Sequence, residues 1–261
     1  SPTGTTRKII TATAKGLSRA LKTSLEEHDF TLPKARTQPL RFTDSDLVVF
    51  GTPVYAGRVP NVLLPYLNTM QGNGALAVPV VLFGNRDYDD ALIELRDILE
   101  NNGLHTIAAG AFVGEHSFSR ILAKDRPDMK DMDIVDEFVR KICEKHKTDT
   151  LSHPIPVSGT PYPYRGYYTP RDRQGTPVDI RKVKPLTNDR CNNCKHCAKV
   201  CPMGSISYEN VRELTGICIK CGACIKKCPK QAKYYEDTGY LYHQHELEEG
   251  LTRRAENTFF I

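Results

Sequence analysis

Two cysteine-rich stretches near the C-terminus decide the fold of that end of the chain: CNNCKHCAKVCP at residues 191–202 and CIKCGACIKKCP at residues 218–229. Both have the spacing C-x2-C-x2-C-x3-C-P, and the second begins 27 residues after the first. Three cysteines in one tight loop can bind three irons of a cubane cluster, whose fourth iron then needs a ligand from elsewhere. Crossing the fourth ligands between the two runs would join two clusters into one small unit.

The repeat predicts two 4Fe–4S clusters, and it resembles the two-cluster ferredoxins of bacteria, in which the fourth cysteine of each run binds the other cluster. The resemblance implies two sets of ligands, namely Cys191, Cys194, Cys197 and Cys228 for one cluster, and Cys218, Cys221, Cys224 and Cys201 for the other. Two zinc sites are one alternative, but zinc favours separated pairs of ligands. A disulfide framework is expected in short secreted chains, whereas no signal segment is visible here.

The charge of the chain has to be counted together with its clusters. The formal charge is +5 at pH 7, but each 4Fe–4S cluster with four thiolates carries about −2. A role in nucleic-acid binding, which a basic chain would otherwise suggest, is therefore not favoured. Residues 187–233 contain nine Lys or Arg and three Asp or Glu. This excess predicts a basic surface that compensates the clusters, a docking site for an acidic redox partner protein, or both.

The sequence contains no apolar run that approaches the roughly 20 residues needed to span a bilayer. We therefore expect no membrane contact and a cytoplasmic location. Low-potential clusters indicate an anaerobic host. A homodimer, in which the clusters serve a neighbouring chain, stays open.

Upstream of residue 147, short apolar strands alternate with amphipathic helices. Strands are expected at residues 46–50, 80–83 and 104–113, with Pro79 at the start of the second because proline is not tolerated in mid-strand. Apolar residues at helical spacing predict a helix after the first loop and another over about 131–146. This alternation predicts a doubly wound parallel sheet, in which ligands bind beyond the carboxyl ends of the strands.

Loops rich in Gly, Ser, Thr and Tyr lie at that edge of the predicted sheet. Residues 1–6 are SPTGTT and run into a helix, which is a favourable arrangement for phosphate, since free amides, hydroxyls and the positive end of the helix dipole converge. Ser or Thr at a helix start is, however, often only a cap. Residues 51–60 and 84–90 follow the next two strands.

These loops resemble those of flavodoxins. Ser1-x-Thr3-Gly4-x-Thr6 is similar to the flavodoxin phosphate loop, and residues 51–58 and 84–88 are similar to the two loops that enclose the flavin ring. With its cysteine repeats, the chain resembles the flavodoxin–ferredoxin fusion proteins of anaerobes. The resemblance implies FMN in the first half, with Tyr55 and Tyr88 beside the ring. The FMN-binding residues that it implies are Ser1, Thr3, Gly4, Thr5, Thr6, Thr52, Pro53, Val54, Tyr55, Ala56, Gly57, Gly84, Asn85, Arg86 and Tyr88.

The sequence departs from flavodoxins at its start, because their phosphate loop follows a hydrophobic first strand and this sequence begins at the loop itself. Either residues before Ser1 are missing from the given sequence, or the sheet lacks a central strand. The second would leave backbone groups unpaired in the core, which is costly. We expect the first.

The predicted organisation has four parts. A flavodoxin-like FMN-binding α/β domain covers residues 1–147, and a Pro- and Tyr-rich connecting segment, expected to lie against a surface, covers residues 148–186. A small α+β ferredoxin domain with two 4Fe–4S clusters covers residues 187–235, and a helix or tail covers residues 236–261. The tail either packs back on the protein or contacts a partner, and Cys143 is expected to be a small apolar residue on a helix.

The function that these features predict is electron transfer between FMN, two 4Fe–4S clusters and an external redox partner. The alternative is an FMN-dependent reductase of a small organic substrate, fed by its own ferredoxin domain. That alternative needs an open flavin face and a proton donor, for which His116 and Arg58 are the candidates. No G-x-G-x-x-G motif is present, so direct use of NAD(P)H is not expected.

Overall fold

The computed structural model describes residues 1–148 and 151–261. Its first half is an α/β unit whose elements are, in chain order, α1 (Thr5–Leu21), β1 (Leu47–Pro53), α2 (Leu64–Leu67), β2 (Leu76–Phe83), α3 (Ala91–Asn101), β3 (His105–Thr106), β4 (Ala109–Val113) and α4 (Met129–His146). The sheet has the order β1-β2-β4, with β3 also on β2, and each of these pairs is parallel.

Helices cover both faces of this sheet because β2 is apolar on both sides. Val78 and Val80 belong to a core with residues of α1 and α4, whereas Ala77 and Val81 belong to a second core with residues of α3. A central parallel strand buried on both faces is expected to read as a continuous apolar run. The predicted doubly wound α/β class is therefore confirmed, and the mainly parallel sheet fits a flavodoxin-like fold.

The prediction that Pro79 begins a strand is wrong, because β2 runs from Leu76 to Phe83 with Pro79 inside it. The partner strand is interrupted at this level: β3 pairs with residues 76–77 and β4 with residues 80–83. Proline has no N–H to donate to a ladder. The gap between β3 and β4 accommodates that missing donor, which explains why a central strand tolerates Pro79.

The second edge of β1 borders a large cavity. β1 pairs with β2 along its whole length, and within residues 1–148 and 151–261 no strand pairs with its other edge. A cavity of about 880 Å³ lies there, between the backbone of β1, one side of α1 and residues 23–31. Ile10, Ala14 and Leu21 of α1 line it, while Ile9 and Leu17 are buried in the core.

The connecting segment lies against the α/β unit, as expected from its prolines and tyrosines. The backbone amide of Ile155 donates to Thr106 at the sheet edge. The Tyr164 hydroxyl donates to the Asp97 carboxylate at 2.7 Å, and the Tyr167 hydroxyl donates to the Val59 carbonyl at 2.8 Å. These bonds give the segment a defined path along the protein.

The small C-terminal unit begins with β5 (Leu186–Thr187) and contains the one-turn helices α5 (His196–Lys199) and α6 (Ala223–Lys226), followed by β6 (Lys233–Tyr234). β5 and β6 pair in antiparallel fashion. The chain then forms α7 (Thr238–Gly250) and β7 (Thr258–Phe260). β7 adds to the edge of β4 in antiparallel fashion, so the tail packs back on the α/β unit. Among the described residues, no helix is both long and apolar enough to cross a membrane.

Candidate cofactor sites

The eight cysteines of the repeat form two groups in space, and each group contains one cysteine of the other run. One small cavity is lined by Cys191, Cys194, Cys197 and Cys228. A second is lined by Cys201, Cys218, Cys221 and Cys224. These groups are the two ligand sets that the ferredoxin resemblance implies, and each supplies the four thiolates that a 4Fe–4S cluster requires.

The two runs reach this arrangement by the same local geometry. A residue with positive φ precedes each one-turn helix, namely Lys195 at 64° and Gly222 at 69°, and the third cysteine of each run lies in that helix. The fourth cysteine accepts an N–H bond from the residue four positions later: Ser205 donates to Cys201 at 3.4 Å, and Ala232 donates to Cys228 at 3.2 Å. Hydrogen bonds to sulfur help to set the reduction potential of a cluster.

The two groups differ in their surroundings. Cys194 of the first group is exposed, and no residue of the α/β unit lines that cavity. In the second group, burial raises the pKa of the Cys221 thiol to about 12. A thiolate at that position needs a compensating positive charge, which the iron of a cluster supplies. The first site, with the exposed Cys194, is therefore the more exposed of the two.

The second group lies against the α/β unit. Gly222 packs against the backbone of Ser117, and the Lys226 ammonium pairs with the Glu115 carboxylate and donates to the His116 carbonyl. On the other side, Arg36 donates to the Pro202 carbonyl at 2.7 Å. These contacts could not be predicted, because single Lys, Glu and Gly residues carry no positional information of their own.

The loop at residues 1–6 has the geometry of an anion site. Gly4 precedes α1 with φ of 108°, and no side chain of the described residues caps the helix. The space beside Gly4 is open, and the Ser1 hydroxyl accepts from the Gly4 amide at 3.2 Å. The Gly4 amide is therefore engaged, and the free N–H groups are those of Thr5 and Thr6 in the first turn of α1, which favour a phosphate.

The 880 Å³ cavity continues from this loop to the second cysteine group. Its lining includes Ser1, Thr6, Pro53 and Tyr55 from the α/β unit and Ile219 from the second cysteine run. The pKa of Tyr55 is raised, first by burial and then by the nearby thiols of Cys221 and Cys218. The Tyr55 ring therefore lies between the phosphate loop and the second cluster site.

Thr52 gives a further test of whether a cofactor fits this region. It is fully buried at the end of β1, and its hydroxyl oxygen has no hydrogen-bond partner among the described residues. A buried hydroxyl without a partner is costly. Thr52 is, however, absent from the lining of the 880 Å³ cavity, so its hydroxyl lies outside the candidate cofactor site. The fit to a phosphorylated aromatic cofactor such as FMN rests on the uncapped N-terminus of α1 and on Tyr55.

The remaining implied FMN residues are engaged by protein groups. The Asn85 amide donates to the Leu251 and Arg253 carbonyls and its oxygen accepts from Ala255, so it anchors the C-terminal tail. The Tyr88 ring packs on Phe83. Two glycines of this group lie against side chains, Gly84 against His116 and Gly57 against Asp89, and Arg86 pairs with the same Asp89. The Ala56 carbonyl accepts from the Tyr168 amide, and the Val54 amide donates to the Leu82 carbonyl.

The two candidate proton donors of the reductase alternative are not free to act. Arg58 makes two hydrogen bonds to the Glu94 carboxylate, at 2.8 and 2.7 Å, and that carboxylate is almost fully buried. His116 accepts from the Phe118 amide through Nδ1 at 3.1 Å, and burial lowers its pKa to about 3. At neutral pH His116 is therefore an uncharged structural residue.

Comparison with known proteins supports the cluster unit directly. The family of 4Fe-4S dicluster domains matches residues 190–233, so this part of the chain is an iron–sulfur domain. No curated protein matches the chain at a significant level. Among solved structures, the flavodoxin of Streptococcus pneumoniae TIGR4, described as a novel drug target, is 19% identical, with a TM-score of 0.37, over 55% of this chain and 92% of its own. That likeness is too weak to carry an argument, and the α/β class stands on the strand order above.

Proposed function

We propose that the protein is an electron-transfer iron–sulfur flavoprotein with FMN in its α/β unit and two 4Fe–4S clusters in its C-terminal unit. The observation that carries this proposal is the position of Tyr55, which shares one cavity with the phosphate loop and with the second cysteine run. A flavin on Tyr55 would lie beside the cluster of Cys201, Cys218, Cys221 and Cys224. When bound, FMN supplies the change between two-electron and one-electron chemistry.

The placement of the two cysteine groups gives the order in which the redox groups would follow one another between the flavin and an external partner. The second group faces the α/β unit, and the first group has the exposed Cys194 at its solvent side. The rate of electron tunnelling falls steeply with distance. An external partner would therefore exchange electrons with the cluster of the first, outer group, and the second is the inner group. The protein's own contribution is to hold three redox groups in series.

Basic residues border the outer group, which is that of Cys191, Cys194, Cys197 and Cys228. Lys195, Lys230 and Lys233 line its cavity; Lys230 is exposed, whereas Lys233 is buried and donates to the Val211 carbonyl. Part of the basic excess of residues 187–233 is therefore structural. The exposed remainder supports docking of a redox protein with an acidic face.

The alternative, a reductase of a small organic substrate, is less well supported. It needs a proton donor at the flavin, and both candidates are committed elsewhere: Arg58 to Glu94, and His116 to a buried position in which it stays neutral. An electron carrier requires no such group. The geometry therefore favours a carrier.

The composition of anaerobically purified protein tests the proposal. Two cubanes predict about eight iron atoms per chain, with one FMN. Tyr55→Ala should lower the retained flavin with iron unchanged, and Tyr162→Ala is the matched control because Tyr162 is 81% exposed. Zinc in place of iron, or protein without flavin, would remove the proposal.

A further inference from the structure

A second set of metal-ligating side chains lies at the start of β3, on the side of β2 away from β1. One ring nitrogen each of His105 and His153 and one carboxylate oxygen of Glu100 lie within 4.8 Å of one another. His105 opens β3, Glu100 is in the last turn of α3, and His153 belongs to the connecting segment. Glu100 and His105 are five residues apart, His153 lies 48 residues further on, and no motif joins the three.

The two histidines are poorly satisfied by protein groups alone. Nδ1 of His105 is buried and has no hydrogen-bond partner among the described residues. The two imidazole rings stack with centroids 4.0 Å apart. Nδ1 of His153 lies 3.5 Å from the second carboxylate oxygen of Glu100, which is too long for a good hydrogen bond.

The carboxylate is held in place by its other oxygen. Oε1 of Glu100 accepts from the Thr106 amide at 2.6 Å and also from the Thr106 hydroxyl. Oε2 is thereby directed toward His153. Metal-ligating carboxylates are commonly oriented in this way by outer hydrogen bonds, whose loss weakens metal binding.

We propose that Glu100, His105 and His153 bind a divalent first-row transition metal ion, and that Zn²⁺ is the ion best suited to the set. Two imidazoles and one carboxylate are a known zinc ligand set, with bonds of about 2.0–2.2 Å and an open fourth position. Donors in such a tetrahedron stand about 3.3–3.4 Å apart. The donors here all lie within 4.8 Å of one another, and those of His153 and Glu100 are already 3.5 Å apart, so a small side-chain adjustment completes the geometry. The His153 side chain is 41% exposed, which allows it to move and leaves the fourth position to water.

The bound metal would have a structural role and not a catalytic one. It lies where β3 begins, away from the loops that hold the candidate flavin site at the carboxyl ends of the strands. Binding would tie the connecting segment, at His153, to α3 and β3. That fixes the point from which the segment runs toward the iron–sulfur unit.

Zinc binding to the cluster-loaded protein tests this proposal. Anaerobic holoprotein is titrated with Zn²⁺ in competition with a chromophoric chelator, and bound zinc is then examined at the zinc K-edge. We expect one zinc per chain with N and O ligands at about 2.0–2.1 Å, whereas zinc in a cysteine site would show sulfur at about 2.3 Å. His153→Gln should weaken binding at least tenfold, and Thr106→Val, which removes the hydroxyl donor to Oε1 of Glu100 but keeps the amide donor, should weaken it about tenfold.

His245→Gln is the matched control, because His245 is an exposed histidine on α7 outside the site. Iron content and the melting temperature without zinc establish that each variant is folded. His153 is exposed, so its variant is expected to fold even if His105→Gln does not. Zinc–sulfur ligation, no retained zinc, or equal affinity in His153→Gln and wild type would overturn the proposal.

Discussion

Gly222 packs so closely against the Ser117 carbonyl that a Cβ at Gly222 would overlap it. Gly222 also has φ of 69°, a conformation that glycine adopts at little cost. Gly222 is one of the two residues between Cys221 and Cys224, which belong to the second (inner) cysteine group. This group is thus in direct contact with a loop of the α/β unit. This contact sets the separation of the two redox units.

Gly222→Ala should therefore slow electron transfer between flavin and clusters. The added methyl group must displace the cluster loop or the loop at Ser117, and a small increase in separation lowers a tunnelling rate steeply. We expect a loss of at least severalfold in the rate at which clusters are reduced after photoreduction of the flavin, with iron content retained. Gly250→Ala is the control, because nothing lies within 4 Å of a Cβ at Gly250. Equal rates in both variants and wild type would contradict the role of this contact.

The pair of Lys226 and Glu115 predicts a difference between two adjacent lysines. The Lys226 side chain is 12% exposed and pairs with Glu115, and burial lowers its pKa, whereas Lys227 is exposed. Lys226→Gln leaves a partly buried carboxylate without its cation, at a cost of about 1–3 kcal/mol. Lys227→Gln should cost nothing measurable. Anaerobic thermal unfolding of both variants checks this, and equal melting temperatures would show that the pair does not join the units.

The buried neutral His116 predicts an acid-sensitive fold. Its pKa falls from 6.5 to about 3, first through burial and then through Lys226, His243 and Arg86. Because the folded-state pKa is depressed, the stability that His116 contributes is present above about pH 6.5 and is lost as the pH falls toward 3. At pH 5.5 the loss is about 1–1.5 kcal/mol.

His116→Asn should reduce this acid sensitivity, since Asn can accept the Phe118 amide but does not titrate. The measurement is the difference in anaerobic melting temperature between pH 7.5 and 5.5. His245→Gln should leave the difference unchanged. An identical difference in His116→Asn and wild type would mean that acid acts through other groups.

Asp90 fixes the connecting segment beside the start of α3. Its fully buried carboxylate accepts from the amides of Thr160 and Arg165 at 2.9 and 2.8 Å, and from the Arg165 guanidinium. These bonds, chiefly those of Arg165, hold the pKa of Asp90 well below its usual value.

Asp90→Asn should destabilise the protein by about 2 kcal/mol and speed tryptic cleavage after Arg165. Asp133→Asn, at an exposed position of α4, is the control. Cleavage sites and rates are read by mass spectrometry. Unchanged cleavage in Asp90→Asn would show that the segment is held by its tyrosines alone.

The cluster unit could be predicted from sequence because its information is local. Eight cysteines and their spacing specify both ligand groups, and the prolines after Cys201 and Cys228 belong to the same pattern. The alternation of apolar strands with helices likewise gave the α/β class and the helix α4, whose bounds differ from the expected ones by two residues at the start. Short-range spacing is sufficient for features of this kind.

Features that depend on distant parts of the chain were not predictable. The position of Pro79 within β2 depends on a break in the partner strand near residue 107. The addition of β7 to β4, and the use of Asn85 to anchor the tail, depend on residues about 150 positions apart. Three residues at the end of a chain, and a single asparagine in a loop, carry no periodicity from which such contacts could be inferred.

The exposed lysine at the outer cluster site gives the last prediction. Lys230 is exposed and lines the cavity of Cys191, Cys194, Cys197 and Cys228. If the basic surface steers partners, Lys230→Glu should slow oxidation of the reduced protein by the anion hexacyanoferrate(III) and accelerate oxidation by the cation hexaamminecobalt(III), each about two- to fivefold at low salt. Both effects should fade at high ionic strength, where the screening length shrinks from about 10 Å at 0.1 M to about 3 Å at 1 M. A change of cluster potential would instead move both rates in the same direction. Lys130→Glu, at an exposed position of α4, controls for net charge, and the same effects in that variant would show that no docking surface exists near the outer cluster.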